Sequence, residues 1–368
     1  MDLYVGAPVD PHFVRLFKEV SGDWGVVDWS PDETRVVAQE YLSSTESYLH
    51  IIEIGTGKTT TITPRKADPT AESVYAGMAK WAPNGQAIYY ITDKDAEFRR
   101  LVRYDLASGE VKILTGSIPW DVESYDVTDN GGLAAIAVNE DGLGVLYTLD
   151  LEDDRLNQSA VVKTPVFPPG HEGVIPLKRG ELSAGQISGL TFAPGLDRLG
   201  FTFSGSRNSS DFYSIGLSEQ YGLSRWTESE TGGLDTSEFA EPALVHFPSF
   251  DGKQIPAFVY RPPAAKFPGP RPGLIQIHGG PESQFQPGFL GRLNYLINEL
   301  GLVLIMPNVR GSSGYGKTYV KLDNGMLREG AVKDIGALLD WIATDPGLDK
   351  TRVGVTGGSY GGFMSLAV

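Results

Sequence analysis

The sequence predicts two domains: an all-β propeller, incomplete or few-bladed, over residues 1–242, and the N-terminal part of an α/β fold over 243–368. Three observations carry this. A turn-rich phrase recurs through the first part at roughly the interval of a propeller blade. The hydrophobic pattern then changes to apolar strands alternating with helical spacing. The charge changes at the same place: residues 1–242 hold 19 Lys/Arg against 37 Asp/Glu, whereas 243–368 hold 12 against 9. The acidic first part is either a well-solvated surface or a field that draws cationic ligands, such as peptide amino groups.

The repeating phrase is an aromatic or apolar residue followed by turn formers: Trp29–Asp32 (WSPD), Trp81–Gly85 (WAPNG), Val127–Gly131 (VTDNG) and Phe192–Gly195 (FAPG), spaced 52, 46 and 65 residues apart. Each precedes an apolar or alternating strand, Arg35–Ala38, Ala87–Ile91, Leu133–Val138 and Leu199–Phe203. In two units a second strand and turn follow, Leu49–Gly57 and Leu101–Gly109. A third short strand then ends at Ile62-Thr63 and Leu114-Thr115. Several short strands per unit of this length are the pattern of blades, which bury their faces only against their neighbours. Trp29, Trp81 and Phe192 are expected in the inter-blade core. Four units are clear, with a possible remnant in 13–28, and residues 164–186 look like an insertion.

In the second part, Leu244–Phe247 and Ile255–Tyr260 flank Asp251-Gly252, a hairpin signal. A Pro-rich linker, Arg261–Pro272, leads to the strand Leu274–Ile277. The pattern then predicts a helix over Phe289–Leu300 closed by Gly301 and a strand over Leu302–Met306. A second helix buries Val332, Ile335, Leu338, Leu339 and Ile342, and a buried strand follows over Arg352–Thr356. This alternation requires parallel strands with crossovers.

Composition bounds the chemistry. At 41% apolar and 10% aromatic, the chain can bury a large core, and 45 Gly with 24 Pro suit a turn-rich fold. The absence of cysteine excludes disulfides, zinc–thiolate sites and thiol nucleophiles. The net charge of −15 argues against a nucleic-acid partner. No cofactor and no metal is implied. No apolar run is long enough to span a membrane, and the start shows no signal peptide. A soluble protein is expected, its compartment open with the cytoplasm favoured and its oligomeric state unknown.

The chemistry lies after the last strand. Gly357–Gly361 (GGSYG) matches Gly-x-Ser-x-Gly, the nucleophile elbow of an α/β-hydrolase fold, in which a tight strand-to-helix turn pushes the serine hydroxyl outward. Gly357 and Gly361 keep side chains out of that turn. The loop His278–Pro281 (HGGP) follows an earlier strand, where a lipase-type loop supplies an oxyanion donor. One motif is a decoy. Gly311–Thr318 satisfies the P-loop pattern, but Pro307–Arg310 separates it from the preceding strand, and Asp323–Gly325 leaves little room for a helix. No nucleotide is expected; the loop, with Arg310, is expected to shape the pocket.

These phrases together resemble the prolyl oligopeptidase family of serine peptidases, nearest its acylaminoacyl-peptidase and dipeptidyl-peptidase-like branch. The matching stretches are His278–Pro281, Asn308–Gly316, Val332–Ile335, Asp340–Ile342 and Gly357–Phe363. The resemblance implies that Ser359 is the nucleophile and that the backbone N–H groups of Tyr360 and Gly280 form the oxyanion hole. Gly357, Gly361, His278, Gly279 and Arg310 would shape elbow and pocket. It also implies peptide substrates, with the propeller restricting entry.

The triad acid and base should follow the nucleophile in sequence. Here the five histidines, His12, His50, His171, His246 and His278, all precede Ser359, as do Asp334, Asp340, Asp345 and Asp349. The histidines are expected in structural, surface or loop roles, and the aspartates in solvation or capping. The expectation is a chain truncated after the nucleophile and inactive alone, whose exposed sheet flank makes it aggregation-prone. A carboxylesterase or acyl hydrolase, or a non-catalytic propeller scaffold, are the competing functions.

Overall fold

The computed structural model describes residues 2–7, 9–66, 68, 70–151, 182, 184–195, 198–216 and 223–368. The chain divides into two compact units: Met1–Ala134 with Leu149–Asn157, and Ala135–Thr148 with Gln158–Val368.

The first unit opens with a hairpin, β1 (Leu3–Ala7) and β2 (Asp10–Lys18). Two four-stranded antiparallel meanders follow, each with the form of a propeller blade. One is β3 (Asp23–Trp29), β4 (Arg35–Ser43), β5 (Glu46–Glu53) and β6 (Thr59–Thr61). The other is β7 (Ala76–Trp81), β8 (Ala87–Thr92), β9 (Arg100–Asp105) and β10 (Val111–Ile113), followed by β11 (Asp121–Val127). The segment 13–28 is thus no remnant blade. Residues 13–18 pair with β1, and 23–28 form the first strand of a complete sheet.

The physical basis of the repeat is a shared turn. The residue after the aromatic or apolar position donates its N–H to a carbonyl five residues on. This holds for Ser30 to Arg35 (2.9 Å), Ala82 to Ala87 (2.8 Å), Thr128 to Leu133 (2.9 Å) and Ala193 to Arg198 (2.9 Å). A residue with positive φ completes each turn: Glu33 (57°), Gly85 (70°), Gly131 (74°) and Gly195 (65°). The expected third strands stop one or two residues early. Thr63 and Thr115 leave the ladder, and their hydroxyls accept from the N–H of Leu49 and Leu101, both at 2.9 Å.

Trp81 is buried among Val37, Leu49, Ile51 and Ile62 of the preceding sheet, with the Arg35 guanidinium 4.6 Å from its ring centroid. Phe192 is also buried. Trp29, expected in the same role, is 46% exposed. An inter-blade residue needs a sheet before its own, and what precedes Trp29 is the two-stranded hairpin β1–β2.

A hairpin of β12 (Leu133–Glu140) and β13 (Leu143–Asp150) carries its tip, 135–148, in the second unit. That unit also holds a four-stranded antiparallel meander, β14 (Gly185–Phe192), β15 (Arg198–Gly205), β16 (Asn208–Gly216) and β17 (Leu223–Arg225). Of the expected insertion at 164–186, residues 164–181 and 183 lie outside the described residues, and Gly185 and Gln186 begin β14.

The α/β part comprises β18 (Pro242–Pro248), β19 (Gln254–Tyr260), β20 (Arg271–Ile277), α1 (Leu293–Asn298), β21 (Val303–Pro307), α2 (Lys317–Val320), α3 (Glu329–Thr344), β22 (Leu348–Gly357) and α4 (Tyr360–Ala367). Its sheet runs β18-β19-β21-β20-β22, the last three strands being parallel. The alternation of β19 sends Ile255, Ala257 and Val259 to one face, where Ile335, Leu338 and Ile342 of α3 pack. Phe258 and Tyr260 face Ile297 of α1 on the other side.

Three details depart from expectation. The first helix is shorter than 289–300, because Gly291 (φ 53°) breaks its start. Leu339 points outward, 40% exposed, one position off the buried stripe of α3. The strand over Arg352–Thr356 is not buried: β22 is the edge of the sheet among the described residues, and its outer face is open.

Candidate active site

The bend between β22 and α4 carries Ser359 at φ 53° and ψ −120°, with the residue exposed. A non-glycine residue with that backbone is strained and persists only where its surroundings hold it. Two glycines make the bend fit. A Cβ on Gly361 would run into the carbonyl oxygen of Ile277 in β20, and one on Gly357 into the backbone of Gly361. The carbonyl of Ser359 accepts from the N–H groups of Gly362 (3.0 Å) and Phe363 (3.1 Å), starting the helix. The N–H groups of a first helical turn have no partner within the helix, and that of Tyr360 is the first in α4.

The loop after β20 lies against this serine. A side chain on Gly279 would stand 3.4 Å from Ser359 Cβ and 4.0 Å from its Oγ. Gly280 follows at φ 119°, a conformation suited to glycine. His278 is buried and turned into the loop's own support. Its Nδ1 donates to the Gly279 carbonyl (2.7 Å), and Nε2 pairs with Ser312 Oγ (2.9 Å). Burial holds its imidazole below the ordinary histidine range. Among the described residues, no side chain forms a hydrogen bond with Ser359 Oγ.

Arg310 is buried, and its guanidinium is committed to two carboxylates and a hydroxyl. It donates to Asp334 at 2.7–3.1 Å, to both oxygens of Asp251 at 3.1 Å and to Ser249 Oγ at 3.3 Å, and lies 4.4 Å from the Phe250 ring centroid. The Arg310 hydrogen bonds hold the Asp251 carboxyl down at about 2. Asp334 is correspondingly no helix-surface residue. It is fully buried, accepts from the Arg310 backbone N–H (3.0 Å), and ties α3 to the loop after β21. Asp345 pairs with Arg261 (2.6 Å), and Asp349 closes a turn on Thr351. Of the other described histidines, His50 pairs with Glu40 (3.1 Å) under the Trp24 ring, His246 pairs with Asp141 (3.0 Å), and His12 is exposed on β2. His171 lies outside the described residues.

The P-loop-like stretch takes another form. Its Gly311 (φ 95°) has no side chain because the Asp323 carboxylate occupies that space, and the helix after it, α2, has four residues. In the sequence, Asp323 reads only as a helix terminator. In the structure it is fully buried, and Tyr360 Oη donates to its Oδ2 at 2.9 Å. No periodicity or motif marks a carboxylate buried by residues distant in sequence.

An exposed serine on a strained strand-to-helix bend, beside a glycine loop from the neighbouring parallel strand, has the form by which the α/β-hydrolase class of folds presents a nucleophile. Comparison with known proteins narrows that class. Residues 289–368 match the prolyl oligopeptidase family. The uncharacterized peptidase YuxL of Bacillus subtilis (strain 168) is 25% identical over 279 residues, covering 74% of this chain and 40% of that protein. The dual function macrocyclase-peptidase POPB of Amanita bisporigera is 25% identical over 282 residues, covering 76% and 36%. The crystal structure of puromycin hydrolase superposes with a TM-score of 0.77 at 20% identity, over 96% of this chain and 52% of that one. The chain is therefore similar to the prolyl oligopeptidase family, combines sheets of propeller-blade form with an α/β part, and spans about half or less of the length of these relatives.

Proposed function

We propose that Ser359 is the nucleophile of a peptidase that cleaves short peptides through an acyl-enzyme. Its catalytic domain would begin near residue 243 and the propeller blades would occupy 1–242. The observation that carries this is the backbone of Ser359, strained at φ 53° with its side chain exposed beside Gly279. In the proposed step, Ser359 Oγ attacks the scissile carbonyl carbon. The carbonyl oxygen becomes an oxyanion that accepts from the N–H groups of Tyr360 and Gly280; the C–N bond then breaks, the serine's proton leaves on the departing amine, and water afterwards hydrolyses the acyl-serine to the free acid. Gly357, Gly361 and Gly279 keep that space open, and His278 braces the loop through Ser312. Arg310, held by Asp334 and Asp251, would shape the pocket by fixing the loop after β21.

The serine has no partnered base among the described residues, so in this chain alone it stays a weak nucleophile. A fluorophosphonate probe tests both points. Ser359 should label rapidly in the full-length gene product, slowly in the 368-residue chain, and not at all as Ser359→Ala. Rapid labelling of Ser359→Ala would remove the assignment, and equally rapid labelling of both wild-type forms would remove the need for a further base. Preference for peptide anilides over short acyl esters would separate a peptidase from an esterase.

A further inference from the structure

We infer that Asp323 is a positioning residue for the oxyanion side of this site, acting through the ring of Tyr360; the inference rests on Ser359 being the nucleophile. Asp323 closes the short 3-10 turn Lys321–Asp323, and its side chain is fully buried. One carboxylate oxygen accepts from Tyr360 Oη at 2.9 Å, and the other has no hydrogen-bond partner among the described residues. The bare backbone of Gly311 admits the carboxylate. Tyr360 is thus gripped at three places: its hydroxyl by Asp323, one face by the Arg328 guanidinium at 5.3 Å, and Phe363 stacked at 6.0 Å.

A buried carboxylate with a single bonded oxygen is a costly way to hold a core tyrosine, and an apolar contact would pack at least as well. What the arrangement adds is direction. Tyr360 is the first residue of α4 and follows the strained serine. The anchor at the far end of its ring sets the orientation of its Cα–Cβ bond, and through it the peptide N–H that would meet the oxyanion. Small misplacements of such a donor cost large factors in rate.

The test is peptide hydrolysis by the full-length gene product, with rates expressed per folded site. Asp323→Ala and Tyr360→Phe should each lower kcat about tenfold with KM unchanged. The double variant should be no slower than either single one, because both remove the same anchor. Asp323→Asn retains an acceptor and should recover most of the rate. A purely structural role predicts a lowered urea midpoint with unchanged kcat per folded site. The inference falls if Tyr360→Phe turns over like wild type, or if the two losses multiply. It falls together with the nucleophile assignment only if Ser359→Ala keeps its activity. If Asp323→Ala does not fold, Asp323→Asn and Tyr360→Phe still decide the matter.

Discussion

Gly361 shows how little room one residue can have. Its Cα lies so near the Ile277 carbonyl that a single methyl has nowhere to go, and the obstacle is backbone, which cannot rotate aside. Gly361→Ala should therefore slow probe labelling of Ser359 by at least about tenfold, since the bend must shift to admit it. Arg310 is the opposite case, a long side chain fully used. Arg310→Met would leave the Asp334 carboxylate buried without its cation and should cost about 3–5 kcal/mol, measured by urea unfolding. Adding Asp334→Asn to Arg310→Met should recover part of that loss, because no uncompensated charge then remains. The cluster also sets a pH window. The Asp251 carboxyl titrates at about 2 in the folded protein, below its ordinary value near 4. Its contribution to stability is complete above about pH 4 and is lost as the pH falls through about 2. The difference in unfolding midpoint between wild type and Asp251→Asn should accordingly shrink across that interval.

Elements in this protein owe their burial to what stands before them. Trp29 and Trp81 begin the same turn, yet one is 46% exposed and the other 6%. Trp81 has the four-stranded sheet β3–β6 to lie on, and its backbone N–H bonds to Asp28 at 2.7 Å. Trp81→Ala should cost about 3–5 kcal/mol in thermal or urea unfolding, whereas Trp29→Ala should cost much less. The shared turns were legible in the sequence because they depend on residues within a short window. The side of the sheet that finds a neighbour was not. For the same reason α1 came out shorter than its apolar spacing suggested: spacing does not register that Gly291 takes a positive φ.

At the scale of the whole molecule, the sheet ends on β22, whose outer edge is open among the described residues. An unprotected strand edge recruits other strands. Concentration-dependent association of this chain is the expected result in light scattering, and Thr356→Lys, a charge on that exposed strand, should reduce it. Insensitivity to the lysine would point to a different contact. The described helices include none long and apolar enough to cross a membrane.

The sequence by itself determined the blade repeat, the change to an α/β pattern and the elbow around Ser359. Each rests on local chemistry: turn residues at fixed offsets, the hydrophobic period, and glycines where no Cβ fits. Only the tertiary structure decided that His278 braces a loop, that Arg310 is held by Asp334 and Asp251, and that Asp323 reaches Tyr360. Those partners lie 24 to 59 residues apart along the chain. A buried charge or an occupied imidazole is defined by what packs around it, and linear spacing carries no record of that.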